Sequence, residues 1–296
     1  MPTYEFVTLD VFTDQRFGGN QLAVFPDADG LSSAQMQALA NELSLAETTF
    51  VLPPENPANT ARVRIFTASE EMPFAGHPNV GTGYVLARLG RGRDDVLRFE
   101  ELAGLVEVKV ERDQAGEILG VTIAAPKALV TGAAFTSDQM ADCLGINAVD
   151  VLVANHPPIQ ASVGVGFVIV EVTAHGLATL APNLASCQAL DATLTGTDIR
   201  LSLHCYVREP LNRVRARMFS TAGGIIEDSA TGSANATLGA LLLSLTTEQT
   251  AAYQVTQGVE MGRPSLLHVT AHRAPDGVRA TVGGGCVPMF RGEVTL

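Results

Sequence analysis

The sequence predicts an α+β chain of two pseudo-symmetric domains from an internal duplication, each a curved β-sheet or barrel around a central buried helix. Short β-rich runs dominate the chain, two helices lack a polar face, and one strand-loop-helix pattern occurs twice about half a chain apart.

The β-rich runs are YEFVTLDVF, QLAVF, TTFVL, ARVRIFTA, LVEVKVE, GVTIAA, VGFVIVEV, LSLHCYV, RVRARMF, LLHVTAH and VRATVGG. Most alternate apolar and polar residues between glycine or proline breaks, as strands with one wet face do. Much of the sheet is therefore expected to be exposed on one side or wrapped around something. Only three segments read as helices. Ser33 to Ser44 carries Met36, Leu39, Ala40 and Leu43 on one face. The runs after Gly76 and Gly232 are apolar nearly all round, through Val80, Tyr84, Val85, Leu86 and Leu89 in one and Leu238, Leu241, Leu242, Leu243 and Leu245 in the other. A helix with no polar face is buried on all sides.

Gly76-His77-Pro78-Asn79 lies over Gly232-Ser233-Ala234-Asn235 at an offset of 156 residues (232 − 76), and Gly83 then falls on Gly239 and Leu86 on Leu242. Upstream, Arg62 to Ala68 falls on Arg215 to Thr221 at an offset of 153 (215 − 62), which implies a three-residue insertion around Gly223-Gly224. Such a period is the signature of a repeated unit. The division expected is residues 1–127, with the C-terminal strand 281–296 available to join them, and residues 128–280, with a boundary near Lys127.

The chain has 296 residues, 46% of them hydrophobic, and a formal charge of -12. That field repels phosphate backbones and anionic lipid, so neither a nucleic-acid nor a membrane partner is expected. The first twenty residues carry acids where a signal peptide needs an apolar core, and no apolar run approaches a membrane span, so a cytoplasmic location is expected. Cys143, Cys187, Cys205 and Cys286 show no metal or disulfide spacing and read as buried reduced thiols.

A helix start presents unpaired N-H groups and partial positive charge, so a glycine-lined one readily holds a carboxylate. Two such starts point to a small anionic metabolite as ligand, bound by Gly76, Pro78, Asn79, Gly232, Ala234 and Asn235. The plain alternative is N-capping, since Thr231, Ser233 and Asn79 are ordinary cap residues. Nearby chemistry comes from Glu47 in "LAETTF", His77, Asp228 beside Glu227, and Ser233. Glu47 follows the Ser33 to Ser44 helix among apolar neighbours, which would hold its proton more tightly and suit a general acid/base. His77 in a first helical turn is discouraged from protonating. Asp228 reads equally as a loop acid capping the next element. Ser233 is not a nucleophile elbow, because Asn235 stands where glycine is needed. No phosphate-binding or dinucleotide motif is present, so no cofactor and no metal are expected.

In "LDVFTDQRFGGNQLAVF" (Leu9 to Phe25), "LAETTFVLPP", "MPFAGHPNVGTGYVL" (Met72 to Leu86), "EDSATGSANATLGALL" (Glu227 to Leu242) and "QGVEMGRPSLLHV" (Gln257 to Val269), the chain resembles the PhzF family of phenazine-biosynthesis-like isomerases, within the diaminopimelate epimerase-like fold. The resemblance spans nearly the whole chain. It implies a homodimeric, cofactor-independent isomerase that moves a proton on a small carboxylate-bearing substrate in a cleft between similar domains. Glu47 matches the family's acid/base, His77, Asp228 and Ser233 match its other catalytic-site residues, and Gly76 and Gly232 match the helix-start glycines. Related racemases place a cysteine beside each helix start. Here Ala75 and Thr231 stand there, which removes the two-thiol mechanism. The chain departs from the family pattern at Gln21 and at Ser229-Ala230, the first of which would alter a pocket loop.

The expected reaction is removal of a proton from an activated carbon by Glu47 and its return elsewhere on the substrate. Extending the repeat puts the counterpart of Glu47 near Arg200, so only one half carries the base. The alternatives are an amino-acid epimerase or racemase pairing Glu47 with a base such as Asp228, and a non-catalytic member of the fold that binds a small acid or another protein.

Overall fold

A computed structural model describes residues 1–92, 94–193, 201–221 and 226–296 of the chain. Its contacts divide the chain into two compact units, Met1–Ala124 with Gly283–Leu296, and Ala125–Val282.

In the first unit β1 (Thr3–Val11), β2 (Asn20–Phe25), α1 (Ser33–Leu43), β3 (Glu47–Leu52), β4 (Ala61–Phe66), β5 (Glu71–Met72), α2 (Gly76–Arg88), β6 (Val96–Glu101), β7 (Gly104–Arg112) and β8 (Ile118–Ala124) follow one another. β1 pairs antiparallel with β2, β2 parallel with β3, and β3 antiparallel with β4. β4 pairs antiparallel with the short β5 and parallel with β6, after which β6, β7 and β8 form an antiparallel meander. The two parallel pairs are joined by crossovers, one carrying α1 and the other α2, as parallel pairing requires. α2 packs against β1, β2, β3, β7 and β8, so strands far apart in the sheet order touch one helix and the sheet curves around it. All of α2 from Gly76 to Ala87 except Tyr84 is buried, as a helix with no polar face must be.

The second unit contains β9 (Val130–Ala134), α3 (Ser137–Leu144), β10 (Ile159–Ser162), β11 (Gly166–Glu171), α4 (Ala174–Thr179), α5 (Leu184–Asp191), β12 (Ser202–Glu209), β13 (Arg213–Ser220), β14 (Ile226–Asp228), α6 (Gly232–Ser244), β15 (Thr250–Gln257), β16 (Ser265–Ala274) and β17 (Gly277–Gly284). Here β10 pairs antiparallel with β11, β11 parallel with β12, β12 antiparallel with β13, β13 parallel with β15, and β15 antiparallel with β16. This repeats the order of β1 to β4, β6 and β7. The last strand, β18 (Cys286–Thr295), pairs antiparallel with β1 in the first unit, and β9 does the same with β10 in the second. α6 packs on β10, β11, β15 and β16, and its residues from Gly232 to Leu243 are buried apart from Ser233.

Each β-rich run read from the sequence is a strand, and the alternating pattern of one wet face is clear in β7. The central strands differ from that expectation because they are covered on both sides. β3 is buried along five of its six residues: its outer side packs on α1, where Phe25, Phe50 and Phe66 cluster with Met36 and Ala40. Phe25 and Phe50 stack at 4.9 Å, and Phe66 meets Phe50 edge-on at 5.5 Å. In the second unit three helices absent from the sequence reading, α3, α4 and α5, supply that cover by burying Met140, Leu144, Leu177, Cys187 and Leu190 with Val168, Val170 and Leu203. Each has fewer than nine residues, too short for periodicity to stand out. The signal that was available was the capping box Thr136-x-x-Gln139. The expected insertion at Gly223-Gly224 lies outside the described residues.

The glycines aligned by the repeat mark close approach of helix to sheet. A Cβ on Gly83 would lie 2.6 Å from Val108 Cγ1, and one on Gly239 would meet Val269 Cγ1 in the same way. Valine is stiff at χ1 and cannot swing clear. Gly83→Ala is therefore expected to lose ~1–2 kcal/mol of stability in urea denaturation, because overpacking of ~1–3 kcal/mol exceeds the helix-propensity gain of ~1 kcal/mol.

Candidate active site

Successive residues of a strand point to opposite faces. In β3, Phe50 and Leu52 enter the aromatic cluster with α1, whereas Thr49 points the other way and its hydroxyl meets Thr82 of α2 at 2.8 Å. Glu47, two residues before Thr49, therefore faces α2. Its Oε2 lies 2.9 Å from Nε2 of His77, the second residue of that helix, and both side chains are largely shielded.

His77 is held from behind as well. Asn20, the first residue of β2 and buried, places its Nδ2 3.4 Å from His77 Nδ1. An amide N-H directed at Nδ1 makes that nitrogen the acceptor and leaves the ring proton on Nε2, facing the Glu47 carboxylate. Asn20 owes its place to Gly19, which takes φ +62 where an added Cβ would strike the Val11 carbonyl. Gln21, expected to alter a loop, lies instead inside β2 opposite Asp10 with its side chain exposed.

The helix starts differ in how they are capped. α1 and α3 begin with complete capping boxes built on Ser32 and Thr136. α2 and α6 do not: their N-caps are Ala75 and Thr231, and neither makes a side-chain cap bond. Asn79 and Asn235, ordinary cap residues by type, sit inside the first turn and donate from Nδ2 to the carbonyls of Ala75 and Thr231, each at 3.0 Å. A helix start without a side-chain cap is of the kind that can hold an anion.

In the second unit Asp228 ends β14, and its Oδ2 accepts from Thr231 Oγ1 at 2.5 Å. Gln257, at the end of β15, clamps this segment: its Nε2 donates to the Asp228 carbonyl at 2.8 Å and to Thr231 Oγ1 at 3.0 Å, and its Oε1 accepts from Asn235 Nδ2 at 2.7 Å. Ser233 is the half-buried second residue of α6, the place His77 has in α2. Gly232, Ala234 and Asn235 are buried around it, as Gly76, Pro78 and Asn79 are around His77.

Arg200, expected near the counterpart of Glu47, lies outside the described residues. Strand register supplies the position instead. Phe66 faces Thr48 and Phe219 faces Leu203, so the residue before each pair is Glu47 in one unit and Ser202 in the other. Where the first unit has a carboxylate and an imidazole, the second has two hydroxyls. The four cysteines are free and buried, and among the described residues no cluster of His, Cys, Asp or Glu is placed to hold a metal.

A family model described as phenazine biosynthesis-like protein, PhzC-PhzF, matches residues 9–292. The chain belongs to that family. It is 34% identical over 304 residues to a trans-2,3-dihydro-3-hydroxyanthranilate isomerase of Pseudomonas chlororaphis, across 99% of this chain and 100% of the relative. A Pseudomonas aeruginosa structure described as a predicted epimerase is 30% identical, covers 99% of both chains and superposes with a TM-score of 0.79. A PhzF-family structure from Bacillus anthracis has the same fold, with a TM-score of 0.86 at 24% identity over 100% of both chains. This PhzF-family protein is an isomerase with the expected α+β fold, and the non-catalytic reading is set aside.

Several supporting residues escaped the sequence reading. Arg217 forms a two-pronged pair with Glu227, Nε to Oε1 at 2.7 Å and Nη2 to Oε2 at 2.9 Å, while its guanidinium lies 4.9 Å from the centre of the Phe219 ring. Arg64 repeats this in the first unit with Glu71 at 2.7 and 2.6 Å and Phe66 at 5.0 Å. Glu227 of the acidic pair is thus a brace for the hairpin that ends at Asp228. The signal in the sequence was the arginine shared by the two repeats at the 153-residue offset (217 − 64). Arg217 also donates to the carbonyls of Leu177 and Leu180. Arg217→Met, which strands Glu227 and both carbonyls, is expected to lower stability by ~3 kcal/mol in urea denaturation.

Proposed function

We propose that this PhzF-family isomerase moves a proton on a small carboxylate-bearing metabolite, with Glu47 as the acid/base. The observation that carries this reading is the shielded 2.9 Å contact between Glu47 and His77 at the uncapped start of α2. His77, with its Nε2 2.9 Å from one carboxylate oxygen, holds that oxygen and leaves the other to take a proton from carbon. The C-H bond breaks with its electron pair delocalised into neighbouring unsaturation, and the same carboxyl returns the proton to another carbon. Nothing is oxidised or reduced. The N-H groups at the start of α2 bind the substrate carboxylate around Gly76, Pro78 and Asn79, and the start of α6, with Gly232, Ala234, Asn235, Asp228 and Ser233, offers an anion site of the same kind within its own unit.

The substrate of the P. chlororaphis relative, trans-2,3-dihydro-3-hydroxyanthranilate, is the first compound to test. Glu47→Gln keeps the shape and the contact with His77 but cannot take the proton, so the rate of product formation is expected to fall ~10²- to 10⁴-fold with an unchanged circular dichroism spectrum. A rate within threefold of the wild type would remove Glu47 from the chemistry. Likeness to the structure described as an epimerase supports a second reading, in which the product keeps the connectivity of the substrate and differs at one stereocentre.

A further inference from the structure

We propose that Thr231 and Gln257 are positioning residues for the active site: Gln257 turns the Thr231 hydroxyl onto the Asp228 carboxylate and so sets the orientation in which that carboxylate meets the substrate. The inference rests on Asp228 being a residue of the proposed site. It also accounts for the stretch "QGVEMGRPSLLHV", which supplies no group to the proton transfer itself.

The polar groups around the start of α6 can be oriented in one way only, because each amide touches a backbone group of fixed character. Asn235 lies 3.0 Å from the Thr231 carbonyl, which only accepts, so the atom there is Nδ2, and its second N-H goes to Gln257 Oε1 at 2.7 Å. Gln257 donates from Nε2 to the Asp228 carbonyl at 2.8 Å, and its Oε1 also takes the Thr231 backbone N-H at 3.3 Å. The second Nε2 hydrogen is then directed at Thr231 Oγ1, 3.0 Å away. A hydroxyl has one proton, and with an N-H aimed at its oxygen Thr231 sends that proton to Asp228 Oδ2 at 2.5 Å. Asn235, Gln257 and Thr231 therefore donate in a single direction that ends on the carboxylate. Asn235 and Gln257 are fully buried, so water does not compete for their groups.

The backbone of the same segment is held by the stretch that follows Gln257. Ser265 donates through its hydroxyl to the Ser229 carbonyl at 2.8 Å. Gly258 takes φ +76, and a Cβ there would lie 2.6 Å from that same carbonyl oxygen and 2.5 Å from the carbonyl oxygen of Arg263. The first unit lacks the device at the matching positions. Met218 faces Asp228 as Ile65 faces Met72, and the 156-residue offset places Met72 and Ala75 over Asp228 and Thr231 (228 − 72, 231 − 75). A thioether and a methyl group stand there in place of the carboxylate and the hydroxyl.

Hydrogen bonds to an ionised group are the strong ones, so a carboxylate oxygen held by an O-H keeps its orientation as a substrate arrives. The direction of the relay is what Gln257 contributes. A carboxylate at position 257 would only accept; it would draw the Thr231 proton to itself and release Asp228.

The test combines turnover of trans-2,3-dihydro-3-hydroxyanthranilate with the carboxyl resonance of Asp228, followed by carbon NMR in aspartate-labelled protein and assigned by its loss in Asp228→Asn. Thr231→Val keeps the shape and removes the hydroxyl, while Gln257→Glu keeps the shape and removes the donor. Each is expected to move the Asp228 resonance and to lower kcat/KM about tenfold. Thr231→Ser, which keeps the hydroxyl, should leave the resonance in place and kcat/KM within threefold. Because Thr231 acts through Asp228, adding Thr231→Val to Asp228→Asn should slow the enzyme less than twofold further. A resonance that stays in place in either Thr231→Val or Gln257→Glu would overturn the proposal, and so would losses in Thr231→Val and Asp228→Asn that multiply. Failure of the isomerase reading itself would appear as no turnover by the wild type, and the resonance, which needs no substrate, would still decide whether Thr231 and Gln257 set the carboxylate.

Discussion

The structure is organised by the burial of one apolar helix inside each curved sheet. α2 has no polar face to offer water, so five strands of its unit close around it, and Gly81 and Gly83 let Leu22 and Val108 approach its backbone. This burial leaves the first turn as the place where α2 can meet a ligand. The two helices that carry complete capping boxes, α1 and α3, have no such task, whereas α2 and α6 are left without a side-chain cap. The same curvature turns the face of β3 that bears Glu47 and Thr49 toward α2, so a single packing solution provides both the uncapped first turn and the carboxylate beside it.

The two units share this plan and differ in chemistry. Residues that brace the hairpin are kept in both, Arg64 with Glu71 and Arg217 with Glu227, each arginine stacked on a phenylalanine. Residues facing the helix start are not. Glu47 and His77 in the first unit stand where Ser202 and Ser233 stand in the second, and Ala75 and Thr231 leave no thiol at either start.

Much of this was legible in the sequence, because the strands announce themselves by alternation, α2 and α6 by their lack of a polar face, and the helix starts by their repeated Gly-x-x-Asn. Glu47 was legible as a candidate, but its meeting with His77 depends on the pairing of β2 with β3 and on which side of β3 faces α2, information that lies in register. Asn20 could be quoted within its motif, yet its contact with His77 spans 57 residues of chain. α3, α4 and α5 escaped because short helices held by caps and tertiary packing have little periodicity to read.

The central claim is that Glu47 carries a proton between carbon atoms of the substrate. It is tested most directly by converting trans-2,3-dihydro-3-hydroxyanthranilate in deuterated water and locating deuterium in the product by NMR. The account predicts deuterium at the carbon that gains the proton, at less than full occupancy because a shielded carboxyl returns part of what it removed, and no carbon-bound deuterium when the enzyme is Glu47→Gln. Deuterium incorporated at the wild-type rate by Glu47→Gln would contradict it.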